Sequence, residues 1–254
     1  MAEDLTPRRE SGPVLAGRFR VIYGVLAVVL GGAVGTLIVL LGATNGGGGP
    51  AWSSWKPTGS SSDRTNEIAT FVSRHYRLDS GRQLVAVSVN KPPAVGRFPV
   101  KYLALSDGSS SSNISLMKAD DTVAYILCGL GQNCAINEGQ ASVERSRLLR
   151  REALELALYT FKHVHGTESV AAFLPPKPGA RPRYVLFFQK DDLKGELDRP
   201  LARTLAPQRR LSPATLGSVD TASVTSVVNA HVFQYTFGQA ADGSVYLALQ
   251  PFHL

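Results

Sequence analysis

The chain has few of the residues, and none of the short motifs, that usually identify an enzyme. It has only two cysteines and five histidines among 254 residues. It contains no G-x-S-x-G nucleophile elbow, no H-E-x-x-H zinc motif and no P-loop. We find no internal repeat. These absences exclude the enzyme classes that such motifs define, and they give no reason to expect a metal or another cofactor.

The charge balance also lacks the concentrated basic runs of nucleic-acid-binding proteins. Lys and Arg total 27 and Asp and Glu total 20, for a net charge of +7. The first 20 residues contribute four arginines and three acids, so most of the excess lies beyond them. A mildly basic domain of this kind suits anionic headgroups or acidic envelope polymers, or it simply keeps the protein soluble. We predict no nucleic-acid partner.

Charged residues are absent from one long stretch, Val21 to Leu41, whose only polar side chains are Tyr23 and Thr36. A helix of this length is about 30 Å long, enough to cross a bilayer core. Arg18 and Arg20 directly precede it, and positive charge stays on the cytoplasmic side. The sequence therefore predicts a cytoplasmic tail at residues 1–20 and a single transmembrane helix at 21–42, with everything after it outside. A cleaved signal peptide is the alternative, but the run is long and the nearest cleavage site has Leu41 where a small residue is needed.

Four glycines within this span have a regular spacing of 7, 4 and 7 residues, and they fall on one helix face. Glycines on one face let two helix backbones approach closely in lipid. The alternative is that glycine is common in membrane helices for other reasons. The pattern predicts a partner helix, either of a second copy or of another protein, packed on Gly24, Gly31, Gly35 and Gly42.

The span is followed by a Gly/Ser-rich segment, residues 43–62, which predicts a flexible linker with little capacity to form a core. Its Trp52 and Trp55 suit the headgroup layer. From residue 63 to 254 the composition predicts one folded domain. Short strand-like segments alternate irregularly with helical ones, which favours an α+β domain with a mostly antiparallel sheet and one long packed helix.

The long helix is the clearest predicted element, at 142–165, with Ser142 as its N-cap and Gly166 ending it. A shorter helix is predicted at 65–76, and 114–118 with 122–127 predict a hairpin. The segment 221–230 is ambiguous between helix and strand. The remaining strands are predicted at 83–89, 98–105, 169–174, 183–189, 232–237 and 244–249.

Cys128 and Cys134 form a C-x5-C pair. Outside the cell, two cysteines this close predict a disulfide, worth about 2–2.5 kcal/mol by the loop-entropy argument. Free thiols and a redox or metal role remain alternatives, although a redox site favours C-x-x-C and zinc needs two more ligands.

Four arginines cluster near the start of the long helix: Arg145, Arg147, Arg150 and Arg151. They are a candidate anion-binding cluster, because guanidinium groups clamp phosphates and carboxylates. The alternative is a solvated helix face neutralised by neighbouring glutamates. His163 and His165 are too poorly placed on a helix to form a convincing metal site.

Together these features predict a single-pass, membrane-anchored extracytoplasmic binding or scaffold protein of an envelope complex, more consistent with a non-catalytic role. An anchored enzyme acting on envelope material and a ligand sensor are the alternatives. The sequence alone does not identify the ligand, the partner or the pathway.

Overall fold

The computed structural model describes residues 51–95, 98–108, 113–207 and 210–252. The chain divides into two units, Met1–Ala51 and Trp52–Leu254, and the fold below is that of the second. Within the described residues no helix has both the length and the apolar character that crossing a bilayer requires. The predicted span and its four glycines, Gly24, Gly31, Gly35 and Gly42, lie outside those residues.

The second unit is built on one mixed sheet of nine strands. Its order is β1-β5-β6-β7-β8-β9-β3-β2, with β4 also beside β3. Within the described residues six strand pairings are antiparallel, and two, β5 with β6 and β3 with β9, are parallel. The strands are β1 (Ala86–Asn90), β2 (Ala94–Val95), β3 (Phe98–Ser106), β4 (Ile114–Lys118), β5 (Thr122–Cys128), β6 (Ser169–Phe173), β7 (Tyr184–Gln189), β8 (Val232–Gln239) and β9 (Val245–Pro251).

Helices accompany this sheet, which confirms the predicted α+β class. The α-helices are α1 (Ser61–Ser73), α2 (Val143–His163), the single turn α3 (Lys194–Leu197) and α4 (Ser218–Val228). Short 3-10 turns lie at Gln132–Cys134, Asp191–Leu193, Leu201–Arg203 and Asn229–His231. The ambiguous segment 221–230 is thus mostly helical, despite its β-branched residues.

Helix α2 begins and ends where its sequence signals predict. The Ser142 side-chain oxygen accepts a hydrogen bond from the backbone N–H of Arg145 at 3.1 Å, which satisfies one free donor of the first turn. Gly166 follows the helix with a positive φ of 67°, a conformation that glycine adopts without steric cost. Nearly all of the helix is buried, from Leu148 to Phe161 with the exception of Arg150. It is therefore the central packing element of the domain.

The alternating side chains of the strands supply two separate cores, one on each face of the sheet. On β7, Leu186 and Phe188 join the core that α1, α2 and α4 cover, while Val185 and Phe187 join the other. The sheet is strongly curved around this second core. Strand β4 lies four positions from β7 in the sheet, yet Met117 Sδ lies only 3.3 Å from Gln189 Nε2.

The predicted hairpin between residues 114–118 and 122–127 is wrong in its pairing, although both segments are strands. Strand β4 pairs with β3, and β5 pairs with β1 and β6. The intervening turn sends the chain elsewhere because Ala119 is fully buried and donates its N–H to the Lys101 carbonyl. The turn between these two strand-like segments therefore connects strands that lie far apart in the sheet, and not the neighbouring strands of a hairpin.

The folded unit begins at Trp52, earlier than the boundary at residue 63 that the composition suggested. Trp52 and Trp55 pack against the helical core rather than remaining in a free linker. The Leu201 N–H donates to the Trp52 carbonyl at 2.7 Å. Lys162 Nζ lies 5.7 Å from the centroid of the Trp52 ring. Aromatic side chains in a Gly/Ser-rich segment thus extend the domain towards the N-terminus.

Candidate functional site

A groove of about 450 Å³ lies between the N-terminal half of α2 and the loop that joins β6 to β7. The loop, residues 174–183, has the sequence LPPKPGARPR. It is closed at its base by a hydrogen bond from the Leu174 N–H to the Tyr184 carbonyl, and it turns at Gly179, whose φ is +79°. The hairpin loop and the capped helix therefore form the two walls of the groove.

The helix wall of the groove carries two of the four predicted arginines, Arg145 and Arg150. Arg145 is only 8% exposed, and its Nη2 donates to the Glu138 carbonyl at 2.8 Å. This contact needs glycine at position 139, where a Cβ atom would lie 2.6 Å from the same nitrogen. The Nε atoms of Arg145 and Arg150 are both buried without a hydrogen-bond partner. An unsatisfied buried donor costs about 1–3 kcal/mol, so both nitrogens lower the stability of the fold.

The local electrostatics of this wall also favour an anion. Burial lowers the pKa of the Arg150 guanidinium, and the nearby charge of Arg147 lowers it further. The first turn of α2 contributes the positive end of the helix dipole, and Ser142 and Ser146 line the groove beside it. Positive charges therefore lie close together on this wall, and a bound anion would reduce the repulsion between them.

The loop wall adds three cations that reasoning from the helix alone missed: Lys177, Arg181 and Arg183. All three are exposed. No Asp or Glu of the described residues lines the groove. The sequence does contain a pattern that could have predicted this wall: residues 174–183 hold three cations and no acid. Five cations therefore line one groove from two different elements. Arg181 and Arg183 also line a neighbouring pocket beside β8, where Arg183 Nη2 lies 3.5 Å from Gln234 Oε1.

Between these cations the groove is lined mainly by apolar side chains. They come from the long helix, from the β6–β7 loop, from β8 and from the residues beyond β9. Such a surface binds apolar groups as well as anions, because burying each methylene is worth about 0.8 kcal/mol. The apolar lining comprises Ile136, Leu149, Leu174, Pro175, Pro176, Pro178, Tyr184, Val232 and Phe252.

The other two predicted arginines lie elsewhere. Arg147 is exposed on α2 and does not line the groove. Arg151 is 2% exposed and forms an ion pair with Glu155, whose Oε2 lies 3.3 Å from its Nη1. A helix turns about 100° per residue, so four arginines within seven residues cannot all share a face. The predicted cluster is therefore divided among the groove, the open surface and the core.

Arg151 belongs to a buried network that links α2 to two loops. Its Nη1 donates to the Tyr76 hydroxyl oxygen at 2.6 Å, and its Nη2 donates to the Ala206 carbonyl at 2.7 Å. The Tyr76 hydroxyl in turn donates to Glu155 Oε2 at 2.5 Å. Burial, then the Glu155 charge, raises the pKa of Tyr76 well above its ordinary value. These partners hold one another in the core, so the network is structural.

Glu152, one residue further along α2, is not part of this network. It is fully buried, and neither carboxyl oxygen has a hydrogen-bond partner. Burial raises the pKa of Glu152 well above its ordinary value of 4.5, the neighbouring Glu155 charge adds to the rise, and Arg77 opposes it. The carboxyl group therefore favours its neutral, protonated form in the folded protein.

Cys128 and Cys134 are joined as a disulfide, with an S–S distance of 2.09 Å. The bond closes a tight loop in which Gly129 leaves no room for a side chain, since a Cβ there would lie 2.4 Å from the Ala135 carbonyl oxygen. Ile136, just after the loop, lines the groove. The cysteine pair therefore fixes the chain that leads into the groove.

The two histidines at the end of α2 do not converge on a common centre. His163 lies with its ring 6.1 Å from that of Tyr159, and burial lowers its pKa. His165 is exposed beyond the end of the helix. Among the described residues, no group of three or more His, Cys, Asp or Glu side chains is placed to hold a metal ion.

Comparison with known proteins does not add to this geometry. No family model matches the chain, and no curated protein or solved structure matches it significantly.

Proposed function

We propose that this protein is a single-pass membrane protein that displays a non-catalytic binding domain outside the cytoplasm, as a binding or scaffold subunit of an envelope complex. The observation that carries the binding role is the groove, where five cations and an apolar surface meet and no described residue of the lining is acidic. The uncharged stretch from Val21 to Leu41, preceded by Arg18 and Arg20, supports the anchor and its orientation. The disulfide agrees with an oxidising compartment.

The orientation is tested with single cysteines in a chain whose Cys128 and Cys134 are replaced by serine. One cysteine replaces Ser11 in the predicted tail, and the other replaces Lys118, an exposed residue of β4. A membrane-impermeant maleimide is expected to label position 118 in intact cells and position 11 only after lysis. The reverse pattern, or labelling of both positions only after lysis, would overturn the proposed topology.

The binding role is tested by placing a photo-crosslinking residue at Lys177, on the loop wall of the groove, in the full-length protein. Adducts are expected in intact cells from this position and not from Lys118, which is equally exposed and does not line the groove. Equal adduct formation at both positions, or none at position 177, would contradict a binding role for the groove.

The glycine face of the predicted span supports a second contact, with another membrane helix. Close approach of two helices requires residues without bulky side chains at the crossing point. Gly24→Leu together with Gly35→Leu is expected to abolish crosslinked pairing in membranes, whereas Val25→Leu is a matched change off that face. Unchanged pairing in the double variant would refute the contact.

A further inference from the structure

We infer that the groove between α2 and the β6–β7 loop binds an acidic peptide segment of a partner protein, with apolar side chains interspersed among its carboxylates. This inference rests on the proposed function, because it takes the groove as the binding surface and names what occupies it.

The cations are spread along both walls rather than gathered at one point. On the helix wall, Arg145 and Arg150 are five residues apart, which separates their Cα atoms by about 7.5 Å along the axis. On the loop wall, Lys177 is separated from Arg181 and Arg183 by the turn at Gly179. A ligand with several acidic groups along an extended chain can contact cations on both walls.

The guanidinium groups on the helix wall favour a ligand that supplies hydrogen-bond acceptors. Arg145 is held in position by the Glu138 carbonyl, and its buried Nε has no acceptor. The buried Nε of Arg150 also has none. Carboxylates accept from guanidinium groups in charge-assisted, often bidentate hydrogen bonds. A carboxylate-bearing chain therefore provides acceptors for the guanidinium group of Arg150, which is partly exposed and lines the groove.

The apolar residues between the cations favour a peptide over other polyanions as the ligand. Leu174, Tyr184 and Phe252 offer partly exposed apolar surface that a polyphosphate or a charged envelope polymer would leave uncovered. A peptide with leucine or valine between its acids covers both kinds of surface. The groove has cations on both walls, and a lipid chain carries no group that would pair with them.

The loop wall also restricts how a peptide binds. Pro175, Pro176, Pro178 and Pro182 have no backbone N–H. The loop therefore cannot offer the regular row of donors by which an added strand joins a sheet edge. Recognition along this wall therefore depends on side chains, chiefly those of Lys177 and Arg181. Since charge provides much of the attraction, affinity falls as salt rises.

The test uses the full-length protein in zwitterionic nanodiscs and a short fluorescent peptide in which glutamate alternates with leucine. Fluorescence anisotropy is expected to show binding that weakens with added salt. Two variants, Arg150→Gln and the pair Lys177→Gln with Arg181→Gln, are each expected to weaken binding about tenfold, the loss of roughly one charge-assisted contact. Arg147→Gln is the matched control: it removes an arginine from the same helix outside the groove and is expected to change affinity less than about twofold.

Three comparison probes distinguish the alternatives. Equal binding of a peptide with glutamine in place of glutamate would show that the cations are not used. Equal binding of polyphosphate would show that the apolar surface is not used, and recruitment of the protein to phosphatidylglycerol nanodiscs without peptide binding would assign the groove to a lipid headgroup. Each result overturns the inference, as does failure of every probe to bind. If groove-specific crosslinking in intact cells survives such a failure, the proposed function stands and only the peptide assignment is lost.

Discussion

The indole ring of Trp55 stacks on the phenyl ring of Phe71, with centroids 3.9 Å apart and planes inclined by 3°. Both rings also meet Tyr159 of α2 edge-on, at 5.4 and 5.7 Å. Three segments of the chain, one before α1, one within it and one in α2, are thereby joined by a single aromatic cluster. Burial in this cluster raises the pKa of Tyr159 to about 12.

We therefore expect Trp55→Ala to destabilise the domain, by about 2 kcal/mol, since the side chain is half-buried and loses a stacked partner. Lys56→Ala, an exposed neighbour, is the control and should have an effect within about 0.5 kcal/mol. Urea denaturation measures both. A Trp55→Ala protein as stable as the control would mean that the folded unit does not depend on this residue.

The disulfide provides a second prediction. Replacing both Cys128 and Cys134 with serine is expected to lower the free energy of unfolding by about 2–2.5 kcal/mol, because the unfolded chain regains the freedom of the loop between them. A reducing agent should lower the denaturation midpoint of the native chain and leave that of the double variant unchanged. A midpoint insensitive to reduction in both proteins would contradict a stabilising role.

The buried ion pair predicts unequal costs for two similar substitutions on α2. Arg151→Met removes the partner of Glu155 and leaves its carboxylate uncompensated in the core, which should cost about 3–5 kcal/mol. Arg147→Met alters an exposed position and should cost less than about 0.5 kcal/mol. Tyr76→Phe leaves the ion pair in place but removes the hydroxyl between its partners. Its cost in the free energy of unfolding should lie between those of the two arginine variants. Similar stabilities for both arginine variants would show that the network contributes little.

Glu152 predicts a pH dependence of stability. Its raised pKa means that the folded protein retains a proton that the unfolded chain releases above about pH 4.5. The free energy of unfolding should therefore fall as pH rises from that value, until the carboxyl of the folded state also ionises. Glu152→Gln should remove this slope and be the more stable protein at neutral pH.

Two histidines have the opposite effect. Burial lowers the pKa of His163 and His231, so their contribution to the free energy of unfolding is lost as pH falls below about 6.5. They are present in both proteins, so the difference between native chain and Glu152→Gln isolates the glutamate. Denaturation curves across this pH range provide the measurement. Parallel pH profiles would show that Glu152 is not held in its protonated form.

Local signals in the sequence predict individual elements well and their partners poorly. Helix α2 follows from a three- and four-residue apolar pattern and the Ser142 cap, both of which act within a few residues. The pairing of β4 with β3, rather than β5, depends on where a buried turn residue, Ala119, is anchored. That contact, with Lys101, depends on the complete tertiary fold.

The candidate site was predictable to the same extent. All four arginines were identified as anion-binding candidates, but four arginines within seven residues cannot share one helix face. In the structure Arg145 and Arg150 line the groove, Arg147 lies on the open surface and Arg151 lies in the core. Lys177, Arg181 and Arg183 join them only because β6 and β7 pair, which places the connecting loop beside the helix. Segments far apart in sequence thus form one surface through sheet topology.

The position of β9 determines the order in which the domain assembles. This strand lies between β8 and β3, and its parallel register places Val245 beside Val100. On a growing chain, β3 therefore has an open edge until β9 has been made, and such edges readily pair with other chains. Contacts between residues so far apart also form slowly. Any system that makes or exports this protein must shield an incomplete sheet from aggregation until its final strand arrives.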